Sequence, residues 1–283
     1  FIAAVPNMGL TTLTHTPSPM GFLRDILDRP FHEHAMLLMP VGYPAEDAKV
    51  PDLQRKGEDR TQAVQALAME FFQLFSGIIE DRRANPTDDL ASLLANATLD
   101  GEPMGIMETL GYFMITFTAG HDTTKNALAG GILALAEHPA EFEKLRRNPD
   151  LVPKAVEEIV RWTSPVNYMK RVVAEDLEFR GQKLRKGENL VLFYASANRD
   201  ESVFEDPYSF RIDRDPNPHL GFGIGEHFCL GPHLARQSQR ALLRELIGRV
   251  GSLELAGDPV RIAASFVVGL KQLPIRYRLS QAA

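Results

Sequence analysis

The stretch Phe222-Gly-Ile-Gly-Glu-His-Phe-Cys-Leu-Gly231 constrains this chain more than any other. Gly223, Gly225 and Gly231 allow a backbone that turns tightly and admits a large neighbouring group without Cβ clashes. Pro232 and the apolar pattern over Leu234 to Val250 predict a long helix directly after the loop. Cys229 therefore precedes a helix N-terminus, whose dipole and free N–H groups favour the thiolate. It is the only cysteine of the chain, which excludes an internal disulfide framework and fits a reducing compartment. A solitary cysteine is most often a small buried hydrophobe. The surrounding glycines and the helix start argue instead for a thiolate that meets a ligand.

From Glu58 onward the pattern is strongly helical. Gln62 to Arg83 carries Val64, Leu67, Phe71, Leu74, Phe75, Ile78 and Ile79 at helical spacing and stops before Asn85-Pro86. Further helices are predicted over Asp89 to Asn96, Gly105 to Glu137, Ala140 to Arg147 and Pro153 to Trp162. Leu177 to Phe179 and Leu190 to Tyr194 alternate like paired strands joined across turns at Gly181 and Gly187, and Ala263 to Leu279 reads as irregular β structure. The expected fold is mainly α with a small β region. Before Glu58 the chain is rich in Pro, Gly, Thr and His, which allows only short elements: a helix over Gly21 to Leu27 and a strand over Ala35 to Met39.

With 37 acidic and 31 basic residues the net charge is -6, which argues against a nucleic-acid or polybasic membrane partner. The most apolar stretch, Gly105 to Gly120, is interrupted by Glu108 and is too short to span a bilayer. No basic, then apolar leader opens the chain. The expectation is a soluble, cytoplasmic protein with no membrane partner.

The spacing Phe-Gly-x-Gly-x-His-x-Cys-x-Gly matches the haem loop of cytochromes P450 at every defined position. From about Glu58 to Arg278 the chain resembles bacterial members of that family. The resemblance implies the C-terminal portion of the cytochrome P450 fold, lacking the usual N-terminal part. It also implies haem b (iron protoporphyrin IX), with Cys229 as iron ligand, Phe222, Gly223 and Gly231 shaping the loop, and His227 and Arg171 contacting propionates. Thiolate ligation pushes electron density onto the iron.

In Ala119-Gly-His-Asp-Thr-Thr124 a mid-helix glycine costs about 1 kcal/mol and needs a reason. The plain reading is a buried helix with a wet polar side. The family resemblance instead leaves room for dioxygen at Gly120 and assigns Asp122 and Thr123 to proton delivery, with the Thr123 hydroxyl bonding back one turn to open the helix ladder. His121 receives no role. Glu158-Ile-Val-Arg161 would ordinarily be a surface pair worth a few tenths of a kcal/mol. In the family such a pair is a buried clamp with a third partner, often arginine, and the matching stretch Pro207-Tyr-Ser-Phe210 offers Ser209 in that place.

Substrate contacts are expected from the long helix upstream of Gly120, from Val166 to Met169 and from Ser265 to Gly269; their apolar character implies a hydrophobic small molecule, terpenoid- or steroid-like by the resemblance. Arg236, Arg240 and Arg244 recur every four residues, either as a solvated helix face or as a basic surface that docks an acidic ferredoxin. Residues 1–57 resemble the C-terminal end of an FMN-dependent nitroreductase, on Gly9-Leu-Thr-Thr12, Thr14-His-Thr-Pro-Ser-Pro-Met-Gly-Phe-Leu23, Leu38-Met-Pro-Val-Gly-Tyr-Pro-Ala-Glu46 and Val50-Pro-Asp-Leu-Gln-Arg-Lys56. Arg55 and Lys56 would there approach the FMN phosphate. The chain is thus read as chimaeric, with a nitroreductase-like segment over 1–57 and a haem-binding region over 58–283. Three readings stand: a haem-thiolate monooxygenase acting with dioxygen, a non-catalytic remnant with weak or no haem binding, and a residual FMN-dependent nitroreductase.

Overall fold

The computed structural model describes Ile2–Ala4 and residues 58–280. The expected helix over Gly21 to Leu27, the strand over Ala35 to Met39, and Arg55 and Lys56 lie outside the described residues. Two units make up the chain, one over Gly9–Ala119 and one over Phe1–Met8 with Gly120–Ala283.

In the first unit, α1 (Glu58–Ala84), α2 (Leu90–Ala95), a short hairpin of β2 (Thr98–Leu99) and β3 (Glu102–Pro103), and the opening turns of α3 (Ile106–Glu137) surround a small aromatic core. α1 ends ahead of Asn85-Pro86 because a residue before proline is driven out of the α region. Phe75, Ile79, Ala95, Leu110 and Phe113 form the core, with the Phe75 ring 5.7 Å from those of Phe71 and Phe113. Arg83 ties the pieces together, donating to the Ala95 carbonyl at 2.9 Å, the Met104 carbonyl at 2.8 Å and Thr109 Oγ1 at 3.1 Å. Asp89 caps α2 by accepting from the Ser92 N–H at 2.7 Å.

The second unit packs the later turns of α3 with α4 (Pro139–Arg147), α5 (Val152–Thr163) and α7 (Pro232–Arg249), a short α6 (Tyr194–Ala197) lying between the last two in sequence. Proline in the first turn of α4, α5 and α7 starts each helix where no N–H is needed. Leu135, Leu145, Val152, Val156, Ile159, Ile212 and Leu243 are buried together, each worth roughly 1.5–3 kcal/mol of transfer free energy. Ser164 ends α5 in the left-handed region, at φ 39° and ψ 61°. Among the described residues no helix is long and apolar enough to cross a membrane.

The β structure is small, as expected, but its pairing differs from the sequence reading. β5 (Leu177–Phe179) pairs with β6 (Gln182–Leu184) and not with the Leu190 strand. The two-residue turn Arg180-Gly181, at φ 49° and 77°, returns the chain at once. β7 (Asn189–Phe193) instead pairs antiparallel with β4 (Tyr168–Val172), placing Arg171 opposite Leu190, and β1 (Ile2–Ala4) pairs with its other edge. Farther on, β8 (Val250–Leu255) pairs with β11 (Ile275–Leu279), and β9 (Val260–Arg261) with β10 (Leu270–Gln272).

Candidate functional site

The loop before α7 is folded back on itself. The Gly223 N–H donates to the Leu220 carbonyl at 2.9 Å, the Phe228 N–H to the Gly225 carbonyl at 2.9 Å, and the Cys229 N–H to the Phe222 carbonyl at 2.8 Å. Gly223 and Gly225 take φ of 73° and 71°, a region that costs other residues about 1–2 kcal/mol. A Cβ at Gly223 would lie 3.3 Å from both the His227 carbonyl and the Tyr194 hydroxyl, whereas at Gly225 and Gly231 it would meet nothing within 4 Å. Gly231 is the N-cap of α7, and its carbonyl accepts from the Ala235 N–H at 3.0 Å.

Cys229 is a free, exposed thiol two residues ahead of the N-cap of that helix. Its neighbours Ile224, Phe228 and Leu230 are exposed too, Leu230 to 91%. Large apolar side chains left open around a thiol at the positive end of a helix form a surface for an apolar group carrying a soft metal. Arg171 on β4 stands close enough to lower the Tyr194 pKa by its charge, although burial, the larger influence, raises it. The Tyr194 hydroxyl is the one beside Gly223, Arg171 donates from Nη1 to the Lys170 carbonyl at 2.9 Å, and His227 is exposed on the loop itself. These residues fit haem: one soft ligand, a glycine-lined approach, an apolar rim, and two groups able to meet carboxylates.

Behind the loop, Glu158 and Arg161 on α5 are fully buried. Arg161 Nε and Nη2 each reach a Glu158 oxygen at 2.7 Å, and the remaining guanidinium donors go to the carbonyls of Asn198, Pro207 and Ser209. The expectation that Ser209 stands in for a third charged partner is corrected. Arg214, 5% exposed, donates to Glu158 Oε2 at 3.1 Å, and Ser209 contributes only its carbonyl, which accepts from both arginines. The chain between Phe210 and Arg214 turns inward, with the Arg211 N–H also donating to Glu158 at 2.9 Å.

Sequence reading passed over Glu157. Its carboxylate accepts from Arg236 Nε and Nη2 at 2.7 and 2.8 Å and from His219 Nε2 at 3.0 Å. Burial pushes this carboxyl up, but the His219 and Arg236 hydrogen bonds outweigh it and hold it at about 2. Arg236 accordingly spends its Nε/Nη2 edge on Glu157 and is only partly exposed. Arg240 is partly buried with its Nε unpaired, which leaves Arg244 as the exposed member. The only sequence signal was a second acidic residue beside Glu158.

α3 remains helical through Ala119–Thr124, so the expected opening of its ladder is not seen. Asp122 is bound by Lys125 Nζ at 2.6 Å, with side-chain exposures of 18% and 32%; Thr123 is partly buried. One turn on, Asn126 is buried with no partner for either amide atom, and a Cβ on Gly269 would lie 2.2 Å from it. Only glycine lets that segment lie against α3 there. The two stretches expected to touch substrate are also joined: Val166 bridges Val267, the Asn167 N–H donates to the Phe266 carbonyl at 2.8 Å, and the Tyr168 and Phe266 rings lie 5.4 Å apart.

The family model for cytochrome P450 matches residues 38–275. The chain belongs to the cytochrome P450 family. The match begins ahead of the Glu58 boundary expected from sequence. Cytochrome P450-terp of a Pseudomonas species is 42% identical over 237 residues, covering 84% of this chain and 55% of that protein. Steroid C26-monooxygenase of Mycolicibacterium smegmatis is 38% identical over 261 residues, covering 92% of this chain and 64% of that one. The crystal structure of CYP108D1 from Novosphingobium aromaticivorans superposes with a TM-score of 0.75 at 46% identity, over 81% of this chain and 56% of that chain. This cytochrome P450 thus spans between half and two thirds of the length of these relatives.

Proposed function

We propose that this cytochrome P450 holds haem b through Cys229 and hydroxylates a hydrophobic small molecule, terpenoid- or steroid-like, in the cytoplasm. The observation that carries this reading is the exposed Cys229 thiol between flexible glycines, ahead of the α7 N-terminus and ringed by exposed apolar side chains. When bound, thiolate-ligated haem activates dioxygen, so that one oxygen atom enters a C–H bond and the other leaves as water with two electrons and two protons. Arg171 and His227 meet the propionates, while Phe222, Gly223 and Gly231 keep the loop close to the ring. Electrons come from an external ferredoxin. The joined segments around Val166 and Val267 offer an apolar wall to substrate, and the resemblance to a steroid C26-monooxygenase supports that class.

Asp122 and Thr123 deliver protons, and Lys125 holds the Asp122 carboxylate in place between turnovers. Asp122→Asn should slow turnover by about a hundredfold, the lower end of a general-acid contribution, with the reduced carbonyl spectrum unchanged. Unaltered turnover would remove Asp122 from the relay.

The direct test of the whole reading is to load the purified chain with haem, reduce it, add carbon monoxide and record the difference spectrum. A Soret band shifted as for thiolate-ligated carbonyl haem supports it. Failure to take up haem would favour a non-catalytic remnant, and yellow colour with flavin release on denaturation would favour the nitroreductase-like reading of residues 1–57.

A further inference from the structure

We infer that Glu157 is a positioning residue for the cysteine ligand, acting through Arg236, His219 and Phe222. The inference rests on Cys229 as the haem ligand and assigns to the neighbour of the buried clamp a separate task. Glu157 lies on α5, the rigid helix that also carries Glu158 and Arg161. Arg236 meets it with the Nε and Nη2 donors of one guanidinium edge, at 2.7 and 2.8 Å, a planar bidentate pairing that fixes direction as well as distance. The same guanidinium lies 4.5 Å from the centroid of the Phe222 ring. Phe222 in turn accepts the Cys229 N–H at 2.8 Å. An unbroken set of contacts therefore runs from the helix to the backbone of the ligand.

His219 closes the arrangement from the other side. Its ring is 4% exposed, its Nδ1 accepts the Gly221 N–H at 3.1 Å, and its Nε2 lies 3.0 Å from Glu157 Oε2. An acceptor at Nδ1 places the ring proton on Nε2, which donates to the carboxylate. The His219 and Phe222 rings lie 5.8 Å apart. Gly221 lets this stretch lie against α5, since a Cβ there would come within 2.4 Å of Val160 Cγ1. Glu157 occupies the Nε/Nη2 edge of Arg236, so that edge is not presented to an external carboxylate while the contact holds.

The test uses the full chain with Glu157→Gln, which keeps the side-chain shape and removes the charge, Arg236→Met, and the double variant. In the haem-free chain, hydrogen exchange of the Cys229 amide reports the tether. In the haem-loaded chain, the reduced carbonyl complex reports the ligand as its thiolate band gives way to the thiol band in mild denaturant. Each single variant should speed both processes by about tenfold, the size of a coupling within one network, and the double variant no further. Wild-type rates in both single variants, or fully additive effects, would overturn the inference. A wild-type chain lacking the thiolate band would refute the ligand assignment, while the exchange rates would still judge the tether. Should Glu157→Gln fail to fold, Arg236→Lys keeps the charge and loses the fork; wild-type rates there would also overturn the inference, and faster rates would support it.

Discussion

Cys229→Ser is expected to abolish the thiolate carbonyl band completely while leaving the far-ultraviolet circular dichroism unchanged. The substitution exchanges one atom on an exposed side chain, and the Cys229 N–H bond to Phe222 belongs to the backbone and survives. A serine hydroxyl stays protonated at neutral pH even at a helix N-terminus, so it cannot donate electron density as a thiolate does. Haem, if retained, would show the spectrum of a weaker ligand, and monooxygenation would cease. Persistence of the thiolate band in the variant would mean that this cysteine is not the ligand.

The second large effect concerns stability. Glu158→Gln should destabilise the fold by about 3–5 kcal/mol, the cost of breaking a buried charge network by removing one partner. Glu158 accepts from Arg161 twice, from Arg214, from the Arg211 N–H and from Asn217 Nδ2. A glutamine amide turns two donors towards that cluster and leaves two buried arginines with no countercharge. Against a typical total of about 5–15 kcal/mol, a loss of this size leaves little margin at physiological temperature. Denaturant unfolding followed by circular dichroism measures it, and a midpoint equal to that of wild type would refute the structural role.

Several elements were legible because their signals are local. The proline-started helices α4, α5 and α7, the long apolar pattern of α3 and the glycine pattern of the Cys229 loop each depend on residues close in sequence. The strand pairing was not legible in this way. Leu177 to Phe179 and Leu190 to Tyr194 alternate equally well, and the choice of partner fell to a turn at Arg180-Gly181 and to β4, which the alternation does not name.

The same division runs through the site. Sequence alone determined the Cys229 loop, the long helix with Asp122 and Thr123, and the Glu158–Arg161 pair, because a helix places residues three or four apart on one face and glycine alone is at ease at positive φ. Tertiary structure decided the partners. It brought Arg214 to Glu158 across 56 residues of chain and turned Arg236 inward to Glu157 across 79, and it laid Gly269 against Asn126. Each depends on where distant backbone segments pack, and a buried charge takes whatever counter-charge the packing brings within reach, because desolvation makes leaving it unpaired the costlier outcome.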